Sequence, residues 1–472
     1  MRIRKTKMIC TIGPASESPE VLEQMVRAGM DVARLNFSHG TYEEHERKIR
    51  RIREISERLG KPVAILQDLS GPKIRVGKVK EGGLDLKRGE RVSLTSRKEG
   101  TGERVISINY PSLPQEVKPG DKILLADGTI ELEVLHSNGI EIQCQVQVGG
   151  ILTSHKGVNV PTGTLKISTF TEKDQEDLRF GIQHGVDLVS LSYVKDPSDI
   201  EKVKDFLKKE SVEIPVIAKI ERKEALENLD RILEASDGVM VARGDLGVET
   251  PLEKVPNVQK RIIKKANVLG KPVITATQML RSMVEYIQPT RAEVTDVVNA
   301  IYDGTDAVML SEETASGRFP VETVEMMARI ARAAEEEFPH ELFLRREIEG
   351  RISLAQAITQ AASVLARDAE AKVIVTPTES GSTARWVSRL RPLQPILALS
   401  RHSSTVRRLA LCWGVYPMLV SDWKDTDEML ERAKQIPKEL GWVSPGDKIV
   451  IIAGVPISIP GTTNLIKVET VE

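Results

Sequence analysis

Two short apolar runs each end in charge. Residues 214–221 read Ile-Pro-Val-Ile-Ala-Lys-Ile-Glu, and residues 237–245 read Asp-Gly-Val-Met-Val-Ala-Arg-Gly-Asp. Strand side chains alternate faces, so Lys219 and Glu221 project to one side where the first run stops. Between the runs, Ala225, Leu226, Leu229, Ile232 and Leu233 keep helical spacing. A strand-helix-strand unit of this kind is parallel and right-handed, which brings Lys219, Glu221 and Asp245 to one rim of a sheet. An ammonium and two carboxylates at one rim point to metal-assisted chemistry. Strand-end charges solvated by water or paired with each other are the competing reading for an isolated example.

The same theme follows other apolar runs. One is followed by Gly13-Pro-Ala-Ser, the next carries Arg34-Leu-Asn-Phe-Ser-His-Gly, and a third Asp68-Leu-Ser-Gly-Pro-Lys-Ile-Arg75. Further on come Arg243-Gly-Asp245 and Thr275-Ala-Thr-Gln-Met. Cations, carboxylates and hydroxyls converging at strand ends are what phosphoryl transfer requires: oxygen charge neutralised, Mg²⁺ held, groups positioned.

The elements that must position these residues are strands near 6–12, 31–36, 63–68, 187–193, 214–220, 238–243, 272–276 and 305–310. Helix-length amphipathic stretches follow, as at 18–28, 42–59, 197–210 and 257–269. Eight β/α units predict a (β/α)8 TIM barrel, the α/β class. One link, 73–167, is far longer and alternates, as in Arg91-Val-Ser-Leu-Thr-Ser and Glu131-Leu-Glu-Val-Leu. It reads as a small inserted β-barrel domain on the loop side that carries catalysis, placed to close as a lid, with hinges at Ser70-Gly-Pro-Lys and Ser168-Thr-Phe-Thr. Beyond Pro339 an α/β rhythm restarts. The expected division is a barrel of residues 1–72 and 168–338, an insert of 73–167 and a C-terminal α/β domain of 339–472. No internal repeat beyond the β/α rhythm is visible.

Composition narrows the partners. The 472 residues carry 67 basic against 68 acidic side chains, a net charge of −1, which argues against nucleic acid and anionic membrane and favours small molecules. No apolar stretch is long enough to span a bilayer, and the run after the basic N-terminus is too brief for a signal peptide, so a cytoplasmic location is expected. Cys10, Cys144 and Cys412 lack metal-ligand spacing and read as structural thiols.

The run from Ile214 through Ala-Lys-Ile-Glu to Leu226 resembles the signature of the pyruvate kinase family. So do Asn36-Phe-Ser-His-Gly, Arg243-Gly-Asp-Leu-Gly, Ala276-Thr-Gln-Met-Leu, Pro289-Thr-Arg-Ala-Glu and Leu310-Ser-Glu-Glu-Thr. The resemblance covers essentially the whole chain. It implies a phosphotransferase, with phosphoryl transfer from phosphoenolpyruvate to ADP giving pyruvate and ATP at the end of glycolysis, in a homotetramer. It also implies catalytic roles for Lys219, Arg34 and Thr277, and Mg²⁺ (or Mn²⁺) on Glu221 and Asp245. Substrate contacts would come from Arg34, Arg75, Gly244, Asp245 and Thr277. Nucleotide contacts would come from His39, Arg75 and Lys156, with Asp127 on the lid. His39 reads equally as a hydrogen-bonded loop histidine, Asp127-Gly128 as an ordinary turn, and Thr277 as the cap of a following helix. Ser311 and Thr314 read as scaffold.

Asn36, Ser38, Asp68 and Leu69 match the monovalent-cation ligands of the family. Lys73, however, stands where many relatives have glutamate, and Leu69-Ser70 stand in place of Thr-Lys. The resemblance is therefore to a K⁺-independent subgroup, in which the Lys73 ammonium replaces the cation. Glu312, where many relatives have glycine, is a further departure. In the C-terminal part Thr378, Ser380, Gly381, Ser382 and Thr383 form a turn suited to phosphate, and the resemblance implies an effector there with a loop at 454–463. That loop has no Lys or Arg, which favours a sugar monophosphate or AMP over a bisphosphate. Two other readings remain at this stage. One is a Mg²⁺-dependent enolate-forming lyase or aldolase on the same rim. The other is an inactive phosphate-metabolite sensor.

Overall fold

The computed structural model describes residues 3–97, 104–161, 166–345, 352–456 and 461–472. Eight parallel strands, Lys7–Thr11, Val32–Asn36, Ala64–Asp68, Leu188–Leu191, Val216–Ile220, Gly238–Ala242, Val273–Ala276 and Ala307–Leu310, pair in chain order and close on themselves. The barrel strands are built mostly from buried Val, Ile, Leu, Met and Ala, as strands covered on both faces require. The interior is filled by Ile9, Leu66, Ile217, Met240, Ile274 and Met309.

The helices that follow the strands start where capping chemistry predicts. The side chains of Thr41, Thr171, Asp196 and Thr290 each accept a backbone N–H two or three residues on, and their own backbone N–H groups donate in return to the carboxylates of Glu44, Asp174, Asp199 and Glu293. Two details differ from the sequence reading. The stretch after the fifth strand is two short helices, Lys223–Glu227 and Leu229–Ala235, broken at Asn228. The long link also ends in its own helix, Glu172–Gln183, so the β/α alternation is complete.

The insert forms a six-stranded sheet between Arg91 and Asn159 and a two-stranded sheet, Leu84–Leu86 with Gly150–Leu152. Both enclose one core that includes Leu86, Leu94, Ile123, Leu132, Val146 and Leu152. A four-residue helix, Leu113–Glu116, interrupts the otherwise all-β texture. The C-terminal sheet has five strands in the order Val415–Leu419, Ile396–Ser400, Val373–Pro377, Lys448–Gly454 and Thr463–Thr470, with only the last antiparallel. This domain docks on the N-terminal end of the barrel, where Ala410 and Leu411 join the interior core. Among the described residues no helix is long and apolar enough to cross a membrane.

Candidate active site

Asp68, the last residue of the third strand, is 2% exposed and forms the hub of the C-terminal rim. Arg34, from the second strand, donates to its Oδ2 through Nε at 2.8 Å and Nη2 at 2.5 Å. Asp68 Oδ1 accepts Ser190 Oγ at 2.7 Å and lies 3.4 Å from Lys219 Nζ. Lys219, penultimate in the fifth strand, sits 2.9 Å from Glu221 Oε1 and donates to Ser192 Oγ at 2.7 Å. Ser192 in turn donates to the Leu69 carbonyl at 2.8 Å, and the Tyr193 N–H donates to Glu221 Oε2 at 2.6 Å. Ser190, Ser192 and Tyr193 escaped the sequence reading because the fourth strand ends without charge. The available signal was two hydroxyls at alternate positions, facing the same side as the Lys219–Glu221 pair.

These charges set one another's protonation. Burial works against the Lys219 ammonium, yet Asp68 and Glu221 outweigh it and hold its pKa above the ordinary lysine range. Burial also opposes the Asp68 charge, but Lys219 and Arg34 keep its carboxyl well below the usual carboxylate range. Asp245, half-buried in the first turn of the helix Arg243–Glu249, is pushed up to about 6 by burial and by the neighbouring Glu221. Its carboxylate accepts no hydrogen bond among the described residues. The Lys73 pKa is lowered by burial and by Lys219, while Asp245, Asp68 and Glu221 pull it upward, so its side chain belongs to the same cluster.

The backbone here is strained. Tyr193, Thr277 and Gln278 adopt φ of 59°, 69° and 54°. Left-handed geometry at a β-branched residue is a rare outlier costing on the order of 1–3 kcal/mol. Arg243 holds it in place: Nη1 reaches both Asp296 oxygens at 2.7 Å, and Nη2 donates to the Thr277 carbonyl at 2.7 Å. Thr277 Oγ1 accepts the Gly244 N–H at 2.8 Å and donates to the Ala276 carbonyl at 2.7 Å. The next helical segment is a single 3-10 turn, Arg281–Val284, led by Leu280, so Thr277 does not cap a helix. Glu313, 1% exposed, joins the seventh and eighth loops by accepting the N–H groups of Leu280 at 3.2 Å and Ser311 at 2.7 Å. Neither the Arg243–Asp296 clamp nor the Glu313 tie leaves a local signal in sequence.

The oxygens of the cation-type set are largely engaged. Asn36 Oδ1 accepts the Ser38 N–H at 3.1 Å, the Leu69 carbonyl takes Ser192, and both Asp68 oxygens are claimed. The insert closes over one side of the rim, where Lys73, Arg75, Asp127, Tyr193, Asp245 and Glu249 line a small cleft. Asn159 Nδ2 of the insert donates to Glu249 Oε1 at 3.3 Å across it. Arg75 Nη1 donates to the His155 carbonyl at 2.8 Å, and Lys156 is exposed beside it. Asp127 is exposed with φ of 56°. His39 is exposed, and burial of part of its ring with Lys73, Arg75 and Arg34 nearby lowers its pKa. Thr314 Oγ1 donates to the Thr11 carbonyl at 2.9 Å, whereas Ser311 Oγ is buried without a partner among the described residues. Glu312 pairs with Arg281 on the surface at 3.1 Å, which gives that departure a local purpose.

In the C-terminal domain Thr378 Oγ1 accepts the Gly381 N–H at 3.0 Å, and Thr383 Oγ1 meets Thr463 Oγ1 at 2.7 Å. Ser380 and Ser382 contact each other at 3.2 Å near the surface. Gly381 has φ of 78°, a conformation glycine adopts without strain, which lets the turn lead directly into the helix Ser382–Ser388. Of the loop at 454–463, residues 457–460 lie outside the described residues.

The sequence matches the family described as the pyruvate kinase barrel domain over residues 3–324 and that described as the pyruvate kinase alpha/beta domain over residues 356–469. It is 49% identical to a pyruvate kinase of Geobacillus stearothermophilus over 99% of this chain and 80% of that protein. It is 44% identical to one of Clostridium acetobutylicum over 100% of both chains. Its structure resembles that of a pyruvate kinase from Cryptosporidium parvum with a TM-score of 0.93, at 36% identity, over 99% of this chain and 96% of the other. The chain belongs to the pyruvate kinase family.

Proposed function

We propose that this rim transfers the phosphoryl group of phosphoenolpyruvate to ADP, giving pyruvate and ATP. The observation that carries the reading is the continuous chain Arg34–Asp68–Lys219–Glu221, in which groups from the second, third and fifth strands bind one another and the Lys219 ammonium is held charged. Lys219 places its ammonium on the transferring phosphoryl group and on the enolate left behind, and Arg34 adds charge on the phosphoryl oxygens. Asp68 keeps both cations oriented, and burial makes that orientation cheap at the moment of reaction. The family implies a divalent metal. Glu221, fixed by Lys219 and the Tyr193 N–H, and Asp245, free of hydrogen bonds among the described residues, fit Mg²⁺ or Mn²⁺, which would supply charge neutralisation at substrate oxygens and needs few protein ligands.

The N–H groups of Gly244 and Asp245 are suited to the substrate carboxylate. Gly244 N–H is given to Thr277 Oγ1 at 2.8 Å, so an incoming carboxylate would release that hydroxyl toward the substrate. Thr277 then takes part in protonating the enolate; a hydroxyl is a poor acid, so a water chain completes the relay. Arg75, His39 and Lys156 serve the nucleotide, and residues 73–167 act as the lid, with Asp127 at its edge. The remaining barrel, 1–72 and 168–338, carries the chemistry, and 339–472 carries regulation.

K⁺ is not required in this reading. Lys73 shares the field of Asp68, Glu221 and Asp245, and most oxygens that K⁺ would need already accept hydrogen bonds. A second cation about 4 Å from an ammonium costs roughly 4 kcal/mol at an effective dielectric near ~20. The chain works as a homotetramer, and the turn Thr378–Thr383, through Ser380, Gly381 and Ser382, takes a sugar monophosphate or AMP. A coupled assay of ADP-dependent pyruvate formation from phosphoenolpyruvate tests the whole reading. Absence of turnover with either divalent metal would remove it.

A further inference from the structure

The side chain of Tyr193 has no task in the rim as described so far, yet the chain holds it in an unusual place. Its backbone is left-handed, with φ of 59°, an outlier for a bulky residue. Its N–H donates to Glu221 Oε2 at 2.6 Å, and its ring lies on the hinge that leads into the insert, where a Cβ added to Gly71 would come within 3.0 Å of Tyr193 Cδ2. Gly71 has φ of 63°, and its N–H donates at 3.1 Å to Oδ1 of the fully buried Asp174. The ring is therefore backed by a pinned glycine, and the hydroxyl end is directed by a strained backbone rather than by chance packing.

That end belongs to the small cleft between the rim and the insert. Burial, then Asp245 and Glu221, push the phenol pKa well above the ordinary tyrosine value, with Arg75 opposing them and Glu249 adding to them, which places the hydroxyl among those four side chains. It has no hydrogen-bond partner among the described residues. Two more donors of the cleft are unclaimed among those residues: Lys73 Nζ, and Nη2 of Arg75, which gives Nη1 to the His155 carbonyl. Three idle donors, two of them cationic, suit an anionic oxygen. The cleft measures 110 Å³, below the roughly 300–1,000 Å³ of pockets that enclose a whole ligand, so it takes part of one. Asp127 and Asn159 of the insert line it and Arg34, Lys219 and Thr277 do not, so it lies on the side of the nucleotide rather than of the three-carbon substrate.

We propose that Tyr193 is a further substrate-binding residue, whose hydroxyl donates to a phosphoryl oxygen of the nucleoside diphosphate where its phosphate chain passes between Asp245 and Arg75. The inference rests on the nucleotide reading above and adds a neutral donor to the cations named there. One residue then serves both partners of the reaction: its N–H orients the Glu221 carboxylate and its hydroxyl meets the phosphate chain.

Calorimetric titration of the full chain with ADP in saturating Mn²⁺, and with Mn²⁺ alone, tests it through Tyr193→Phe, which removes one oxygen and keeps the ring against Gly71. ADP affinity is expected to fall roughly tenfold, the loss of one hydrogen bond to a charged group, while Mn²⁺ affinity stays within about twofold because the N–H to Glu221 is retained. Unchanged ADP affinity in the variant, beside a wild-type chain that binds ADP and turns over in the coupled assay, would overturn this inference alone. Equal losses of ADP and Mn²⁺ affinity would also overturn it, leaving Tyr193 as a support of Glu221. A wild-type chain that binds no ADP in Mn²⁺ would remove the nucleotide reading and this inference together.

Discussion

The two ends of the same barrel solve opposite problems. At the floor, Asp31, Asp187, Asp237 and Asp306 each precede an even-numbered strand, and each accepts the N–H of the preceding strand's Met8, Ile65, Val216 or Val273 at 2.8 to 3.0 Å. Each also has a cation: Arg4 at 2.7 Å, Arg53 and Arg407 at 2.7 and 2.6 Å, Lys204 at 2.9 Å, and Arg391 at 2.8 Å. Two of these cations, Arg407 and Arg391, come from the C-terminal domain, so the same carboxylates that pin the strands also dock that domain. At the catalytic rim, by contrast, Asp245 has no hydrogen-bond partner among the described residues, Asp68 serves two cations, and three non-glycine residues hold left-handed backbone. Satisfied carboxylates hold the fold together, and the unsatisfied one, with the strain, marks where ligands must complete the structure.

The sharpest break in this comparison is Lys219→Met. Loss of one preorganised charge should lower turnover roughly a hundredfold or more in the coupled assay. Near-normal turnover would show that the rim's charge is merely structural.

Asp306→Ala should do the reverse. It strands the fully buried Arg391, 1% exposed, and should cost on the order of 3–5 kcal/mol in denaturant unfolding. The equivalent change at Asp237, whose Lys204 partner is 39% exposed, should cost less than about 1 kcal/mol for the ion pair and a further ~1 for the strand N–H. Equal losses at the two positions would show that burial does not grade the floor.

Acid should separate the ends as well. Asp245, pushed up to about 6 by burial and Glu221, must lose its proton to take a divalent cation, so Mn²⁺ affinity should fall about tenfold per pH unit below about 6. The sign for stability is opposite. With its pKa raised on folding, protonated Asp245 favours the folded metal-free state, and this contribution grows as pH drops from about 6 toward the usual carboxylate value of 3.8. Manganese titrations at roughly pH 5 and pH 7 check the first point, and a flat affinity would remove Asp245 from the metal site.

The smallest effect is expected at Lys73. Wild-type turnover should be essentially the same with tetramethylammonium in place of K⁺, and Lys73→Glu should gain K⁺ dependence. A wild-type enzyme nearly silent without K⁺ at constant ionic strength would refute the substitution.

Much of this was legible in sequence. Eight buried runs with helical stretches between them specify a closed barrel because periodicity of two and of 3.6 leave few other packings. Lys219 and Glu221 were readable as a same-face pair from strand alternation alone. The floor was half legible: Asp-Val-Ala-Arg-Leu, Asp-Leu-Val-Ser-Leu, Asp-Gly-Val-Met-Val and Asp-Ala-Val-Met-Leu begin at Asp31, Asp187, Asp237 and Asp306. The repeat of two β/α units went unseen because its four copies are unevenly spaced by the insert. Ser190 and Ser192 lacked a charge to draw attention.

What the sequence by itself determined is the kind of each element and the side to which its chemistry points, since both follow from local periodicity and capping. Only the tertiary structure decided that Asp68 joins Arg34 to Lys219, that Arg243 reaches Asp296 to hold Thr277 in strained backbone, and that Arg391 crosses from the C-terminal domain to Asp306. Those partners are tens of residues apart, and which long side chain meets which carboxylate is set by barrel closure and domain docking, not by any spacing along the chain.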